Sequence, residues 1–183
     1  DARRLVASPL FLAFVVAVGA IQAAHAAFYT FGSVRWRSQG LSADTVGLLW
    51  TIGVAAEVAL FAWSGALMRR FWATTLIMVG GMAAVLRWAV MAFDPPLAVL
   101  VPLQLLHGAT YGLTHIGAIQ FLGRAVPESA SGTAQALYAS VAAGVAMGAA
   151  TLAAGALYGA LAAGTYAVMA ALALAGLMAA LWL

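Results

Sequence analysis

Six apolar runs, each roughly as long as the ~20 residues that cross a bilayer as a helix, follow one another through this chain. They cover residues 9–33, 44–68, 72–93, 97–123, 130–155 and 161–183. Of its 183 residues 66% are hydrophobic and 7% charged, against about 25% charged in a soluble domain. No water-soluble packing hides that much apolar surface, so the solvent is lipid. The expected fold is an all-α membrane protein, a single six-helix transmembrane bundle over residues 1–183. Cysteine is absent, which removes disulfides and thiolate metal sites. No metal, cofactor or nucleic acid is expected. The first apolar run is span-length rather than the short core of a signal peptide, and the chain reads as a piece of something longer.

The connections punctuate the runs well. "RWRSQGLSAD" (35–44) is polar, and Ser42 is placed to cap the second helix with Asp44 in its first turn. "MRRF" (68–71) predicts a tight charged turn. "DPP" (94–96) stops one helix and starts the next, because proline suits a first turn. "GRAVPESASG" (123–132) is a polar connection, and the last boundary falls near "GALYGALAAG" (155–164). An even number of spans puts both termini on one side with Arg3, Arg4, Arg69, Arg70 and Arg124. Arg35 and Arg37 lie opposite, in a turn that is solvated or draws anions toward an entrance. The positive-inside rule then places the termini in the cytoplasm. Trp36, Trp72 and Trp182 fall near span ends, where interfacial anchors sit.

"QAAHAAFY" (22–29) and "QLLHGATY" (104–111) both read Gln-x-x-His-x-x-x-Tyr, 82 residues apart. With three spans per unit, the two copies enter the membrane from opposite faces. That is the inverted-topology repeat of secondary transporters, with units of roughly 1–93 and 94–183.

Five ionisable side chains lie well inside spans: His25, Glu57, Arg87, His107 and His115. At 1.5 Å per residue, the first four fall about 18–26 Å from the nearest cytoplasmic span end, and His115 about 13 Å. Charged groups at such depth are costly and mark pathways or coupling sites. Glu57 is the group type that takes up a proton on one side and releases it on the other; the alternative is a structural ion pair with Arg87. Arg87 stays charged and calls for an acidic partner or an anionic substrate. Gln104, His107, Tyr111, Thr114 and His115 share a helix face, with Gly108 and Gly112 as a strip for close helix approach. Gln22, His25 and Tyr29 do the same on the first helix. Gly132, Ala136, Ser140, Gly144 and Gly148 recur every four residues, as in a tight helix interface. Gln135 and Tyr138 lie beside that strip within reach of a cavity, and Trp50 shares a stripe with Gly53 and Glu57. A hydrolase built on Ser64 would need His115 as its partner.

Six spans with "GALMRRF" (65–71) between the second and third resemble the C-terminal half of a major facilitator transporter. That family's Gly-x-Leu-x-Asp-Arg-x-Gly-Arg turn is kept as Gly65, Leu67 and Arg70, while its acidic position is Arg69 here. "LRWAVMAF" (86–93), "LQLLHGATYGLTH" (103–115) and "SGTAQALYAS" (131–140) resemble the 3-phenylpropionic acid transporter family. In the related lactose permease, a glutamate, an arginine and a histidine on corresponding helices serve substrate binding and proton coupling. Glu57, Arg87 and His107 match them by helix. The permease's glutamate three residues after the histidine is Thr110 here, so the proton carrier stays open between Glu57 and a histidine.

The resemblance implies a proton symporter of the bacterial inner membrane carrying a small organic acid, an aromatic one such as a phenylpropionate. Sugars and nucleosides are the alternative substrates, and a truncated module that transports nothing is the alternative class. Glu57, Arg87 and His107 are the expected proton-coupling residues. Gln22, His25, Tyr29, Trp50, Gln104, Tyr111, His115 and Gln135 are the expected substrate contacts. The expected partners are a small-molecule substrate, protons, lipid, and a missing N-terminal six-helix half or a second copy.

Overall fold

The proline ring at Pro9 presets a helical φ, and helix α1 (Pro9–Ala23) starts there, with the Ser8 hydroxyl accepting from the Phe11 amide at 3.4 Å. The structure, a computed structural model, describes residues 7–183, so Arg3 and Arg4 lie outside the described residues. After a break at Ala24–His25 the first span resumes as α2 (Ala26–Ser38) and reaches 30 residues, five longer than expected at its far end. The second span is α3 (Ala43–Ala62), and the Ser42 hydroxyl caps it as expected, accepting from the Thr45 amide at 3.1 Å. Trp63 interrupts the helix and a short α4 (Ser64–Arg70) follows. Arg69 and Arg70 therefore end a helix instead of forming a turn, and the chain reverses at Phe71–Trp72.

The third span is α5 (Ala73–Met91). The fourth is α6 (Leu97–His107), a wide π turn over Gly108–Leu113, and α7 (Thr114–Ala125). The fifth is α8 (Glu128–Ala139), a second π turn over Ser140–Ala146, and α9 (Met147–Leu161). The sixth is α10 (Thr165–Ala180). The apolar helical stretch Glu128–Ala180 has 53 residues, about 80 Å of helix against a hydrocarbon core of about 30 Å. Ala162, at φ 48° and ψ −120°, breaks it in two, and α10 packs back on α1 and α5. Among the described residues every regular element is helical. The fold is an all-α membrane bundle.

Packing follows the small residues. α3 runs along α6 and the π turn after it, because Gly108 admits the neighbouring backbone: a Cβ there would lie 2.9 Å from the Ala56 carbonyl oxygen. The Gly132–Gly148 strip does not form the tight interface its spacing predicts. Its members are exposed, and nothing lies within 4 Å of a Cβ built at Gly132, Gly144 or Gly148. Trp72 and Trp182 are exposed, whereas Trp36 is 1% exposed and packs on Phe28 and Trp50. It is a core residue and not an interfacial anchor.

At the end of the bundle opposite Arg69, Arg70 and Arg124, Arg35 grips Asp94 with both nitrogens of its fork, and Nε donates at 2.8 Å. Gln39 donates to the same carboxylate at 2.8 Å. This clasp ties the end of α2 to the α5–α6 turn and holds Asp94 at φ 52°. Arg35 is thus paired, not a free attractor for anions.

Gly108→Ala is expected to cost about 1–3 kcal/mol through overpacking. Gly132→Ala on the exposed face of α8 is expected to gain about 0.5–1 kcal/mol, since alanine loses less backbone entropy. Reversible unfolding in detergent measures both.

Candidate functional site

Arg87, on α5, is fully buried, and no carboxylate of the described residues touches it. Its Nη1 donates to His107 Nδ1 at 2.9 Å and to the Thr110 hydroxyl at 3.4 Å, and its Nη2 donates to Gln104 Oε1 at 3.0 Å. The guanidinium carbon stands 4.5 Å from the centre of the Phe28 ring. Charge-assisted hydrogen bonds contribute about 1.5–3 kcal/mol each, and a desolvated cation–π contact about 2 kcal/mol. Together they offset the about 2.5–3.5 kcal/mol that insertion scales assign to an arginine at this depth. Neutral acceptors hold Arg87, and the alternative of a direct ion pair between Arg87 and Glu57 is not formed.

His107 stands between the two. Its Nε2 faces Glu57 Oε2 at 3.3 Å. A guanidinium only donates, so His107 Nδ1 is the acceptor and the ring's proton sits on Nε2, toward the carboxylate. His25 is assigned oppositely. Its Nδ1 lies 3.0 Å from the Gln22 carbonyl, which only accepts, and its Nε2 takes the Thr110 hydroxyl at 3.0 Å. Thr110, absent from the expected site, joins the two histidine networks. Its sequence signal was its place three residues after His107 on the same face.

The two copies of the repeat meet here. The His25 and His107 rings are 5.6 Å apart. Each histidine stacks on its own copy's tyrosine, at 5.6 Å for Tyr29 and 5.9 Å for Tyr111. Each also meets the other copy's tyrosine edge-on, His25 on Tyr111 at 6.0 Å and His107 on Tyr29 at 6.2 Å. Gln22 of one copy donates to the Tyr111 carbonyl of the other at 3.4 Å. The ring contacts are reciprocal, whereas Gln104 bonds Arg87 instead of the Tyr29 carbonyl.

In front of this buried layer opens a cleft of about 430 Å³, walled by Gln22, Tyr29, Glu57, Tyr111, His115 and Tyr138 and floored by alanines 139, 142 and 143. His25, Arg87, Gln104 and His107 lie behind the wall and are buried. Tyr111 stacks between His107 and His115, with centroids 5.9 and 6.0 Å away. Trp50 sits off the wall, stacked on Tyr29 at 6.3 Å with its indole donating to Ser33 at 2.8 Å. Gln135 is not brought to the cleft. It is exposed on α8 and bonds Ser131 at 3.2 Å, and Tyr138 one turn on takes the place in the wall. Thr114 is also turned away, buried with its hydroxyl on the Thr110 carbonyl at 2.9 Å. Ser64 and His115 border a separate small hollow, and no hydrogen bond joins them among the described residues.

Residues 2–168 match the MFS_1 like family. The chain belongs to that family. Of the proteins it is similar to, the "Probable 3-phenylpropionic acid transporter" of Escherichia coli (strain K12) is 37% identical over 142 residues, 78% of this chain and 37% of that protein. The "Maltose permease" of Geobacillus stearothermophilus is 27% identical over 155 residues, 85% of this chain and 39% of that protein. The "Uncharacterized transporter YwbF" of Bacillus subtilis (strain 168) is 26% identical over 153 residues, 84% of this chain and 38% of that protein. The chain thus spans well under half the length of these relatives, which are named as transporters or a permease and not as enzymes. No solved structure matches it.

Nitrogen-15 spectra of imidazole-labelled protein are expected to show His25 as the Nδ1–H tautomer and His107 as the Nε2–H tautomer. A His107 ring protonated on both nitrogens would mean that Arg87 does not donate to it.

Proposed function

We propose that this chain is one half of a proton-coupled symporter for a small organic acid, an aromatic carboxylic acid such as a phenylpropionate. The observation that carries the reading is the position of Glu57: the carboxyl in the cleft wall is also the outer end of the chain Glu57–His107–Arg87. A substrate carboxylate about 5 Å from ionised Glu57 meets a repulsion of about 3 kcal/mol at an effective dielectric constant of 20. Protonation of Glu57 removes that repulsion and leaves the buried positive charge of Arg87 to favour the anion. Substrate and proton then bind together. His107 is a poor rival as carrier, since a second proton on it would displace the Arg87 hydrogen bond.

The walls suit an aromatic guest. Tyr29, Tyr111 and Tyr138 offer ring faces and the alanine floor leaves flat apolar space, in a cleft of the size that takes a small molecule. The name of the E. coli relative fits this; that of the maltose permease favours a sugar as the competing substrate. The reciprocal His–Tyr contacts support two inverted three-helix units of roughly 1–93 and 94–183. The exposed small-residue face of α8 and the open side of the cleft fit docking of a further six-helix half, or of a second copy. Arg69, Arg70 and Arg124 at one end support cytoplasmic termini in a bacterial inner membrane.

Uptake by the full-length parent under an imposed pH gradient tests the reading. Glu57→Gln is expected to abolish accumulation above the external concentration while substrate exchange persists. Unchanged accumulation in the variant removes Glu57 from the mechanism, and uptake of maltose with no uptake of phenylpropionate overturns the substrate class.

A further inference from the structure

Three arginines gather at the other end of the bundle from the Arg35–Asp94 clasp, and the cleft makes no use of them. Arg69 and Arg70 end α4, and Arg124 lies in the last turn of α7. A cation at a helix C-terminus is favourable by itself, but that does not explain why two helices aim theirs at one place. Gln120 fixes the arrangement: its amide donates to the Met68 carbonyl at 2.7 Å and the Phe71 carbonyl at 3.2 Å, pinning α7 to the α4–α5 turn. All three arginines are exposed, and no carboxylate of the described residues pairs with them. They enclose a hollow of about 260 Å³ together with Met68, Phe71 and Trp72.

A second hollow, of about 200 Å³, adjoins the first and shares Trp72 and Arg124 with it. The rest of its lining is Ala73, Thr74, Phe121 and Ala125. Trp72 is 73% exposed and carries the Arg124 guanidinium 5.4 Å from its ring centre. One compartment is lined by three arginines and its neighbour mainly by apolar side chains, with an amphipathic indole between them at the end of a span. We propose that Arg69, Arg70, Arg124 and Trp72 form a binding site for an anionic phospholipid, its phosphate among the arginines and the start of an acyl chain along Ala73 and Phe121. A free phosphate matches the first hollow and leaves the second unfilled, so the pair of hollows selects the lipid. This site is independent of the transport reading, which sets only the leaflet.

Native mass spectrometry of the full-length parent, released from detergent with added dioleoyl phosphatidylglycerol, dioleoyl phosphatidylcholine or inorganic phosphate, tests it. Phosphatidylglycerol is expected to be retained and phosphatidylcholine not. Each arginine-to-alanine change is expected to weaken retention about fivefold, as expected for one basic residue near an anionic surface, and Arg124→Lys to preserve most of it. Trp72→Ala is expected to weaken retention of the lipid. Equal retention of the two lipids, or full retention by the Arg69→Ala/Arg70→Ala/Arg124→Ala variant, overturns the proposal. Phosphate binding that Trp72→Ala leaves unchanged, with no lipid retained, assigns the arginines to a free anion instead. If the triple variant does not fold, Arg124→Gln against Arg124→Lys decides in its place.

Discussion

A guanidinium with no carboxylate of the described residues against it organises the middle of this protein. Arg87 needs acceptors inside the bundle, and the fourth span supplies them to Nη1 and Nη2 from three positions, Gln104, His107 and Thr110, while Nε is left without one among the described residues. Those bonds fix the rotation of α6 about its axis. Once it is fixed, Gly108 faces Ala56, Tyr111 faces the cleft, and His107 Nε2 points at Glu57. The Phe28 ring under the guanidinium locks α2 into the same assembly. A positive charge held by neutral groups keeps its field, and His107 is the side chain that both bonds Arg87 and faces Glu57.

The repeat gives this arrangement its economy. The same three side-chain types, placed 82 residues apart, meet through crossed histidine–tyrosine pairs. Departure from the symmetry is where chemistry enters. Thr110 corresponds to Phe28, so one copy offers a hydroxyl where the other offers a ring, and Arg87 uses both. The equivalent histidines also differ: Arg87 faces Nδ1 of His107, whereas a backbone carbonyl faces Nδ1 of His25, so their protons sit on opposite nitrogens.

Span number, caps and the polar faces of the first and fourth helices were legible in the sequence because a bilayer leaves a chain few choices: every backbone group must be bonded within a helix. Partnership was not legible. Depth along a helix placed Glu57 near Arg87, but side-chain direction put His107 between them. Helical phase failed where the helix is not α. The π turn over Gly108–Leu113 is wider than a regular turn, so it brings His107, Tyr111 and His115 into a stack and carries Thr114 out of the face that 3.6 residues per turn predicts. Trp36 and Gln135 show a further limit: a tryptophan near a span end and a glutamine beside a small-residue strip look the same whether they face the core or the outside.

The clasp between Arg35 and Asp94 has a mechanical side. It joins the far arm of the first span to the turn whose two prolines launch the fourth, so a displacement of one is passed to the other. A swing of α2 about Ala24–His25 would tug α6 along its own length. The imidazole facing Glu57 sits at the other end of α6, three turns from the clasp and beyond the break in the hydrogen-bond ladder at Pro102.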